Sequence, residues 1–300
     1  MADSLKIGLI GLDTSHVVAF SRLLNEPQNE HHISGGKIVA AFPGGSPDMP
    51  VSISRVEGFT NQLRDEFGIE IVDSPRAVAE RVDLVFVTAA DPRVHPDHLR
   101  QILPCRRPTF IDKPFAVSGE DATEMFRMAN DAGVPLMSCS SLRYDDGLVA
   151  AMKARSTSVG GCDAFGPMSI EKPLPSLFWY GVHTVEVVVS IMGAGCRRLR
   201  AINGPAHEVI TAEWNDGRVA SMRLVREGHS RFGVCVHDDE GSQFIDLSAN
   251  ARPWYAPMLE AIVRTLPKGQ SDIDPAQTLD VIRILEAGNQ SRETGEQVCV

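Results

Sequence analysis

Three features are missing from this sequence: paired cysteines, a long apolar run and an excess of basic side chains. The six cysteines include no C-x-x-C pair and show no regular spacing. This pattern argues against a disulfide framework and predicts free thiols in a reducing compartment. The segment "HPDH", from His95 to His98, is not accompanied by a carboxylate pattern typical of a metal site, so we expect no bound metal.

The apolar runs and the charge balance exclude two further classes of partner. The longest apolar stretch, "VVVSIMGAG", is much shorter than the roughly 20 residues that a membrane span needs. The segment "MADSLKIGLIG" has no basic region and no A-x-A-like cleavage site, and its apolar part predicts a first strand. The net charge of -10, from 29 basic and 39 acidic side chains, repels phosphate backbones and anionic lipid. We therefore expect a cytoplasmic protein that binds neither nucleic acid nor membrane.

What the sequence does contain is a regular alternation of strands and helices over its first 140 residues or so. The predicted strands are short and rich in Ile, Val and Phe: "LKIGLIG", "KIVAAF", "IEIV", "DLVFVTA", "PTFID" and "PLMSCS". Amphipathic helical segments lie between them, such as "SHVVAFSRLLNE" and "EDATEMFRMANDAG". This order predicts a doubly wound parallel sheet with helices on both faces, whose ligands bind at the carboxyl ends of the strands.

The pattern changes after about residue 155. Strand-like runs flank Asn215-Asp216-Gly217 and Asp239-Glu240-Gly241, and these turns are typical of β-hairpins. We expect an α+β domain with a mainly antiparallel sheet, packed against the helix in "WYGVHTVEVVVSIMG" and closed by helices at about 254–266 and 275–291. The predicted domains are therefore 1–141 and 142–300, with the C-terminal helix packing back toward the first domain.

The glycine loop after the first strand departs from the usual dinucleotide pattern. A G-x-G-x-x-G fingerprint has three glycines, whereas the segment from Gly11 to His16 reads G-L-D-T-S-H. Asp13 occupies the position of closest phosphate approach, where a carboxylate about 4 Å from a phosphate charge costs about 4 kcal/mol at an effective dielectric of about 20. Asp13 is also placed to cap the following helix. Whether this loop still binds a dinucleotide is left open by the residues alone.

The end of the second strand does not decide between NAD and NADP. An NAD-preferring site has Asp or Glu there to hold the ribose hydroxyls. In this chain the strand continues into "AFPGGSPD", with Pro43 and Gly44 and no acid before Asp48. No Arg follows at once to receive a 2′-phosphate, so both cofactors remain open.

Several motifs, in order along nearly the whole chain, resemble one enzyme family. Asp112-Lys113-Pro114 at a strand end is similar to the E-K-P motif of the glucose–fructose oxidoreductase, inositol dehydrogenase and rhizopine-catabolism family (Gfo/Idh/MocA). Pro92 and His95 match its Pro-x-x-His element. "SSLRYD" resembles its Asn-x-Arg-aromatic element, with Ser141 where Asn is usual, and "YGVHTVEVVVSIMG" resembles the helix that carries its catalytic histidine.

The resemblance implies an NAD(P)-dependent oxidoreductase with an N-terminal Rossmann domain and a C-terminal open sheet that forms homodimers or homotetramers. Hydride would pass between the cofactor and a sugar, polyol or related hydroxy compound. Lys113 would bind the reacting oxygen and His183 would exchange the hydroxyl proton, which suits a lysine in a dry cleft and a side chain that titrates near neutral pH. The expected cofactor-binding residues are Gly11, Leu12, Asp13, Thr14, Ser15, His16, Pro43, Gly44, Ala89, Ala90, Pro92, His95 and Asp112.

The substrate side departs from the family where an aspartate is common, four residues before the histidine. Trp179 stands there, and Tyr180 and Glu186 share the helical face of His183. We expect Tyr180 as a further acid or base, and Arg143, Tyr144 and Trp179 as substrate-binding residues. Core packing of Trp179, or an ion pair of Arg143 with Asp112 or Asp145, is the alternative. A non-redox descendant, such as a sugar-binding or regulatory protein, a lyase or an isomerase, is the alternative function.

Overall fold

The computed structural model describes residues 4–300, which form two compact units. The first unit contains the chain up to Ala116, then Glu120–Cys139 and Tyr255–Asp274. The second unit contains Val117–Gly119, Ser140–Trp254 and Pro275–Val300. The chain therefore passes between the units more than once, and the segment Tyr255–Asp274 belongs to the first.

The first unit is built on a six-stranded sheet in the order β3-β2-β1-β4-β5-β6, with every neighbouring pair parallel. Its strands are β1 (Leu5–Ile10), β2 (Gly36–Phe42), β3 (Glu70–Ile71), β4 (Leu84–Val87), β5 (Thr109–Asp112) and β6 (Leu136–Cys139). All residues of β4, β5 and β6 are buried, as expected for parallel strands covered on both faces. The predicted doubly wound sheet is confirmed.

Five helices connect these strands: α1 (His16–Asn25), α2 (Pro50–Phe67), α3 (Pro75–Ala79), α4 (His95–Ile102) and α5 (Gly119–Ala132). Helix α2 begins at a proline, whose fixed φ suits the first turn, and ends at Gly68 in the left-handed conformation, with a φ of 63°. The short helix α3 was not predicted. Ser74 caps it by accepting the Ala77 N–H at 3.2 Å.

The second unit contains a seven-stranded sheet in the order β12-β11-β7-β10-β9-β8-β13. Its strands are β7 (Gly161–Pro167), β8 (Cys196–Asn203), β9 (His207–Trp214), β10 (Val219–Val225), β11 (Gly233–Asp238), β12 (Gly241–Asp246) and β13 (Val298–Cys299). Both predicted hairpins are confirmed, β9–β10 and β11–β12. The sheet is mainly antiparallel as predicted, and β7 pairs in parallel with β10 at its centre.

The remaining helices are α6 (Asp146–Ala154), α7 (Gly181–Met192), α8 (Tyr255–Thr265) and α9 (Pro275–Thr294). Helices α7 and α9 pack against one face of the seven-stranded sheet, whereas α8 packs against α1 within the first unit. Helix α7 is buried along almost its whole length, with His183 and Ser190 as its two half-buried residues. Within residues 4–300, none of the helices combines the length and the apolar character that crossing a membrane would require.

Candidate active site

In the first unit, the ends of β1, β2 and β4 meet around Gly11. This glycine has a φ of +94°, and a Cβ added to it would lie 2.4 Å from the Cα and N of Ala89. The Leu12 N–H donates to the Pro43 carbonyl at 2.7 Å, and a Cβ on Gly44 would lie 3.4 Å from the Cα of Gly11. The structure thus brings together five predicted cofactor-binding positions at the carboxyl edge of the sheet: Gly11, Leu12, Pro43, Gly44 and Ala89. Doubly wound folds bind nucleotides at this edge.

Asp13 is fully buried and faces the interior of the first unit. Its Oδ2 accepts the Ser52 hydroxyl hydrogen at 2.5 Å, and its Oδ1 accepts the Ala90 N–H at 2.8 Å. Burial is the main reason that the pKa of Asp13 is raised, although both hydrogen bonds oppose the shift. The prediction that Asp13 caps the following helix is wrong. The residue before α1 is Ser15, whose side chain forms no capping hydrogen bond, and the His16 N–H is accepted by Thr14 Oγ1 at 3.4 Å.

The orientation of Asp13 removes the electrostatic objection to a diphosphate at this loop. A carboxylate with no exposed surface does not present its charge to a ligand at the start of α1. Thr14 is half-buried and Ser15 is exposed, so both hydroxyls lie on the accessible side of the loop. The backbone approach of Gly11 and the N-terminus of α1 are the elements that a dinucleotide diphosphate needs, and the residues present fit NAD.

His16 stands where the fingerprint has its third glycine, and its ring contacts the carboxylate of Asp112 at the end of β5. The Nδ1 atom of His16 contacts Oδ2 of Asp112 at short range, and Oδ1 of Asp112 accepts the Lys113 N–H at 2.8 Å. Burial alone would raise the pKa of Asp112, but its contact with His16 outweighs burial and holds the pKa below its usual value. The His16 ring also packs on Tyr255, with 4.8 Å between ring centroids.

Lys113 follows β5 directly and precedes a cis peptide bond to Pro114. Its side chain is half-buried, and burial lowers the pKa of its ammonium group while the neighbouring Asp112 opposes that shift. A lysine that loses its proton more easily than usual is suited to polarising or exchanging a proton with a hydroxyl oxygen.

His95 connects two loops of the first unit and is completely buried. Its Nε2 lies 2.9 Å from the Ala89 carbonyl oxygen and its Nδ1 lies 3.0 Å from that of Phe115. Pro92 opens the single turn before α4 and is buried as well. This geometry gives His95 the role of holding the loop after β4 against the segment that follows Lys113-Pro114.

In the second unit, His183 lies in the first turn of α7 with its ring held by Ser140. The Ser140 Oγ lies 2.7 Å from His183 Nδ1, and Oγ also accepts the Leu142 N–H at 3.2 Å. Aromatic rings flank the imidazole: the centroid of Tyr180 is 5.3 Å away and that of Phe232 is 5.7 Å away. His183 is therefore an oriented, half-buried imidazole on an otherwise apolar helix.

Arg143 forms an ion pair with Glu186, one turn after His183 on α7. The Nε of Arg143 lies 2.5 Å from Glu186 Oε1, its Nη1 donates to Gln277 at 2.7 Å, and the side chains are 10% and 5% exposed. Burial raises the pKa of Glu186 and Arg143 opposes that rise. Of the two ion-pair partners that the sequence offers for Arg143, Asp112 and Asp145, the latter instead caps α6 by accepting the Leu148 N–H.

The other residues predicted on the substrate side differ in how far their side chains are exposed. Tyr180 is exposed, and Trp179 and Tyr144 are half-buried. The structure adds Trp254, whose ring meets that of Phe232 at 6.1 Å and remains 37% exposed. Sequence inspection missed Ser140 and Trp254. The only signal for Ser140 was its position directly after a predicted strand and before "SLRY".

The first unit defines the class of protein: a dinucleotide-binding Rossmann domain in a chain whose second unit is a mixed, mostly antiparallel sheet. Residues 6–139 match the model of the GFO_IDH_MocA oxidoreductase family with an NAD-binding Rossmann fold. The match agrees with the resemblance seen in the motifs of the first domain, and the description of the model agrees with the expected nicotinamide cofactor. No curated protein matches the sequence significantly.

Solved structures share the fold over the whole chain. Myo-inositol 2-dehydrogenase from Lactobacillus plantarum is 15% identical, with a TM-score of 0.81 over 99% of this chain and 100% of that one. Scyllo-inositol dehydrogenase from Lactobacillus casei, with bound NAD(H) and scyllo-inositol, is 13% identical, with a TM-score of 0.78 and 99% coverage of both chains. GenD2 from gentamicin A biosynthesis, in complex with NAD, is 18% identical, with a TM-score of 0.78 over 100% and 97%.

Proposed function

We propose that the protein is an NAD-dependent dehydrogenase that acts on a secondary hydroxyl group of a cyclic polyol or sugar. The observation that carries this proposal is His183, an imidazole fixed at Nδ1 by Ser140 in the first turn of a buried helix. The cyclitol dehydrogenases among the structural neighbours and the aromatic rings around His183 support a ring-shaped substrate. Tyr180 and Trp254 offer exposed faces on which the C–H surface of such a ring packs.

In this proposal the chemistry is divided between Lys113 and His183. Lys113 donates a hydrogen bond to the oxygen and stabilises the alkoxide charge that develops on it. The O–H bond breaks and its proton passes to Nε2 of His183. The electron pair of the C–H bond leaves that carbon as hydride, which NAD accepts when bound, and the carbonyl bond forms. The reverse sequence reduces the ketone, and neither direction is preferred by the residues named here.

The test is the formation of NADH from NAD, followed at 340 nm with myo-inositol, scyllo-inositol and an open-chain polyol. We expect activity with a cyclitol, and a loss of kcat of about 100-fold or more in both Lys113→Met and His183→Asn. Lys153→Met and His207→Asn are matched controls because both side chains are exposed in the second unit. A folded protein that binds no NADH in a fluorescence titration would contradict the proposal and support a non-redox descendant instead.

We also propose that the chain forms a homodimer through the face of the seven-stranded sheet opposite α7 and α9. Strand alternation places Ile202, Val219 and Phe244 on that face, with 66%, 55% and 58% of their surfaces exposed. Large apolar side chains on a broad sheet face are typical of an interface between copies. Sedimentation equilibrium of the wild type should give twice the chain mass, and Ile202→Glu combined with Phe244→Glu should give the monomer mass. A monomeric wild type would refute this.

A further inference from the structure

We propose that Ser140 is a positioning residue for His183: it accepts the Nδ1 hydrogen of the imidazole and thereby makes Nε2 the nitrogen that exchanges the substrate proton. This inference rests on the proposed dehydrogenase function, which it deepens. Ser140 contacts no reacting atom in this scheme. Its effect passes entirely through the tautomer and the orientation of the His183 ring.

The position of the Ser140 hydroxyl is fixed by its own local structure. Ser140 directly follows β6, has extended backbone angles (φ −78°, ψ 145°) and precedes the single turn Ser141–Tyr144. The Leu142 N–H occupies one lone pair of Oγ at 3.2 Å, and the side chain is completely buried. An amide hydrogen on one lone pair leaves the second lone pair to accept from His183 Nδ1, at 2.7 Å.

The backbone of Ser140 is held by the same helix that carries His183. The backbone amide of Ser140 favours the charged form of the Glu186 carboxylate, which forms the buried ion pair with Arg143. His183 and Glu186 are three residues apart, so they lie on one face of α7. Ser140 therefore lies beside α7, with its amide favouring the charge of Glu186 and its hydroxyl in contact with His183 Nδ1.

This arrangement suits a histidine that changes protonation state during turnover. In the neutral base form, a hydrogen on Nδ1 leaves Nε2 with its lone pair, ready to take a proton. In the protonated form Nδ1 still carries its hydrogen, so the bond to Ser140 is the same before and after proton transfer. The opposite assignment, with Ser140 donating to Nδ1, would place the hydrogen on Nε2 and remove the base. The serine thus does for Nδ1 what a carboxylate does in other catalytic histidine pairs.

Two variants test the proposal. Ser140→Ala removes the acceptor, and we expect kcat for cyclitol oxidation to fall by about 10- to 100-fold, part of the contribution of general base catalysis, with KM changed by less than about twofold. Ser140→Thr keeps the hydroxyl and should recover most of kcat. Ser190→Ala is the matched control, because its hydroxyl lies on the same helix and donates to the Val187 carbonyl away from the imidazole.

A second readout does not depend on turnover. The 15N chemical shifts of the His183 ring, measured on selectively labelled protein, should show the Nδ1–H form in the wild type and a mixture of both tautomers in Ser140→Ala. An unchanged tautomer, or an Nε2–H form in the wild type, would overturn the proposal, as would a Ser140→Ala enzyme with kcat within about twofold of the wild type. If the wild type shows no dehydrogenase activity, the proposed function fails, and the ring shifts alone decide whether Ser140 sets the tautomer.

Discussion

The hydroxyl of Ser52 donates a hydrogen bond to the carboxylate of Asp13, with 2.5 Å between Oγ and Oδ2. Ser52 in turn accepts the Ser46 N–H at 2.8 Å, so the first turn of α2, the loop after β2 and the loop after β1 are connected through one side chain. This network turns the carboxylate of Asp13 inward. It explains how a loop that lacks the second glycine of the fingerprint keeps a surface on which a diphosphate fits.

Asp13→Ala should destabilise the protein because it removes the acceptor of a buried amide. The Ala90 N–H and the Ser52 hydroxyl would both lose their partner, and we expect the free energy of unfolding to fall by about 2–4 kcal/mol in urea denaturation at pH 7.5. Ser52→Ala, which removes one of the two bonds, should cost less. Equal losses in the two variants would show that the Ala90 contact contributes nothing.

Asp13→Asn should change the pH dependence of stability in a defined direction. The pKa of Asp13 is raised in the folded state, mainly by burial. Its contribution to stability is therefore fully present below the pKa of the unfolded chain and is lost as the pH rises through the folded-state pKa. Asparagine does not titrate, so the stability difference between wild type and Asp13→Asn should shift in favour of the variant between pH 4 and pH 7.5. A shift toward the wild type over that range would mean that the folded state lowers this pKa.

Gly11→Ala should be more destabilising than alanine at another glycine with a positive φ. At Gly11 the added Cβ would lie 2.4 Å from the backbone of Ala89, and the φ is +94°. We expect a loss of about 3 kcal/mol or more in the free energy of unfolding, together with weaker NADH binding. Gly68, at the end of α2, has a φ of +63° and no neighbour within 4 Å of an added Cβ. Gly68→Ala should cost about 1 kcal/mol and leave NADH binding unchanged, and a similar loss at both positions would exclude close approach as the cause.

The parallel sheet could be predicted because each of its strands is a continuous apolar run. Leu84–Val87 has no exposed surface at all, and no other element type explains so short a buried run followed by a loop. Strand β7, which pairs with the central strand of the other sheet, was not predicted. It begins with one glycine and has another next to its last residue, and its parallel partner β10 lies more than fifty residues later in the chain.

In the candidate site, too, features set by neighbouring residues could be predicted, and features set by residues far away in the chain could not. The motif around Lys113 and the helix of His183 are visible because their signals lie within a few consecutive residues. The orientation of Asp13 is not visible, because it depends on Ser52 and Ala90, which are 39 and 77 residues away. A cap was the best local interpretation of an aspartate before a helix. It fails because these distant donors compete for the same carboxylate.

His98 should make the protein sensitive to acid. This histidine on α4 is 9% exposed, neither ring nitrogen has a hydrogen-bond partner among residues 4–300, and burial lowers its pKa to about 4. A lowered pKa stabilises the fold above the unfolded value of 6.5 and loses that contribution as the pH falls toward 4. Between pH 7.5 and pH 5 the wild type should lose about 2 kcal/mol more than His98→Leu in urea denaturation. His207→Asn, at an exposed position, should follow the wild type, and parallel curves for all three proteins would contradict the prediction.

Removing only Arg143 from its ion pair with Glu186 should lower the free energy of unfolding strongly, and replacing both residues by apolar ones should lower it much less. Arg143→Met leaves a carboxylate that is 5% exposed without its cation, and we expect the free energy of unfolding to fall by about 3–5 kcal/mol. In Arg143→Met combined with Glu186→Met the buried charge is gone, so stability should return to within about 2 kcal/mol of the wild type. A double variant as unstable as Arg143→Met alone would show that the pair itself, rather than the isolated charge, supplies the stability.

The exposed pair of Arg76 with Glu80 on the surface of α3 is the matched control for this cycle. Its side chains are 64% and 51% exposed, at i,i+4 spacing, so water screens their interaction. Arg76→Met should leave the urea midpoint unchanged. Because the Ser140 amide favours the charged form of Glu186, Arg143→Met should in addition lower kcat by loosening the support of His183, whereas Arg76→Met should not. If Arg143→Met loses stability without any change in kcat, the ion pair does not help to orient the His183 ring. Its role would then be only to hold α7 against the turn after β6.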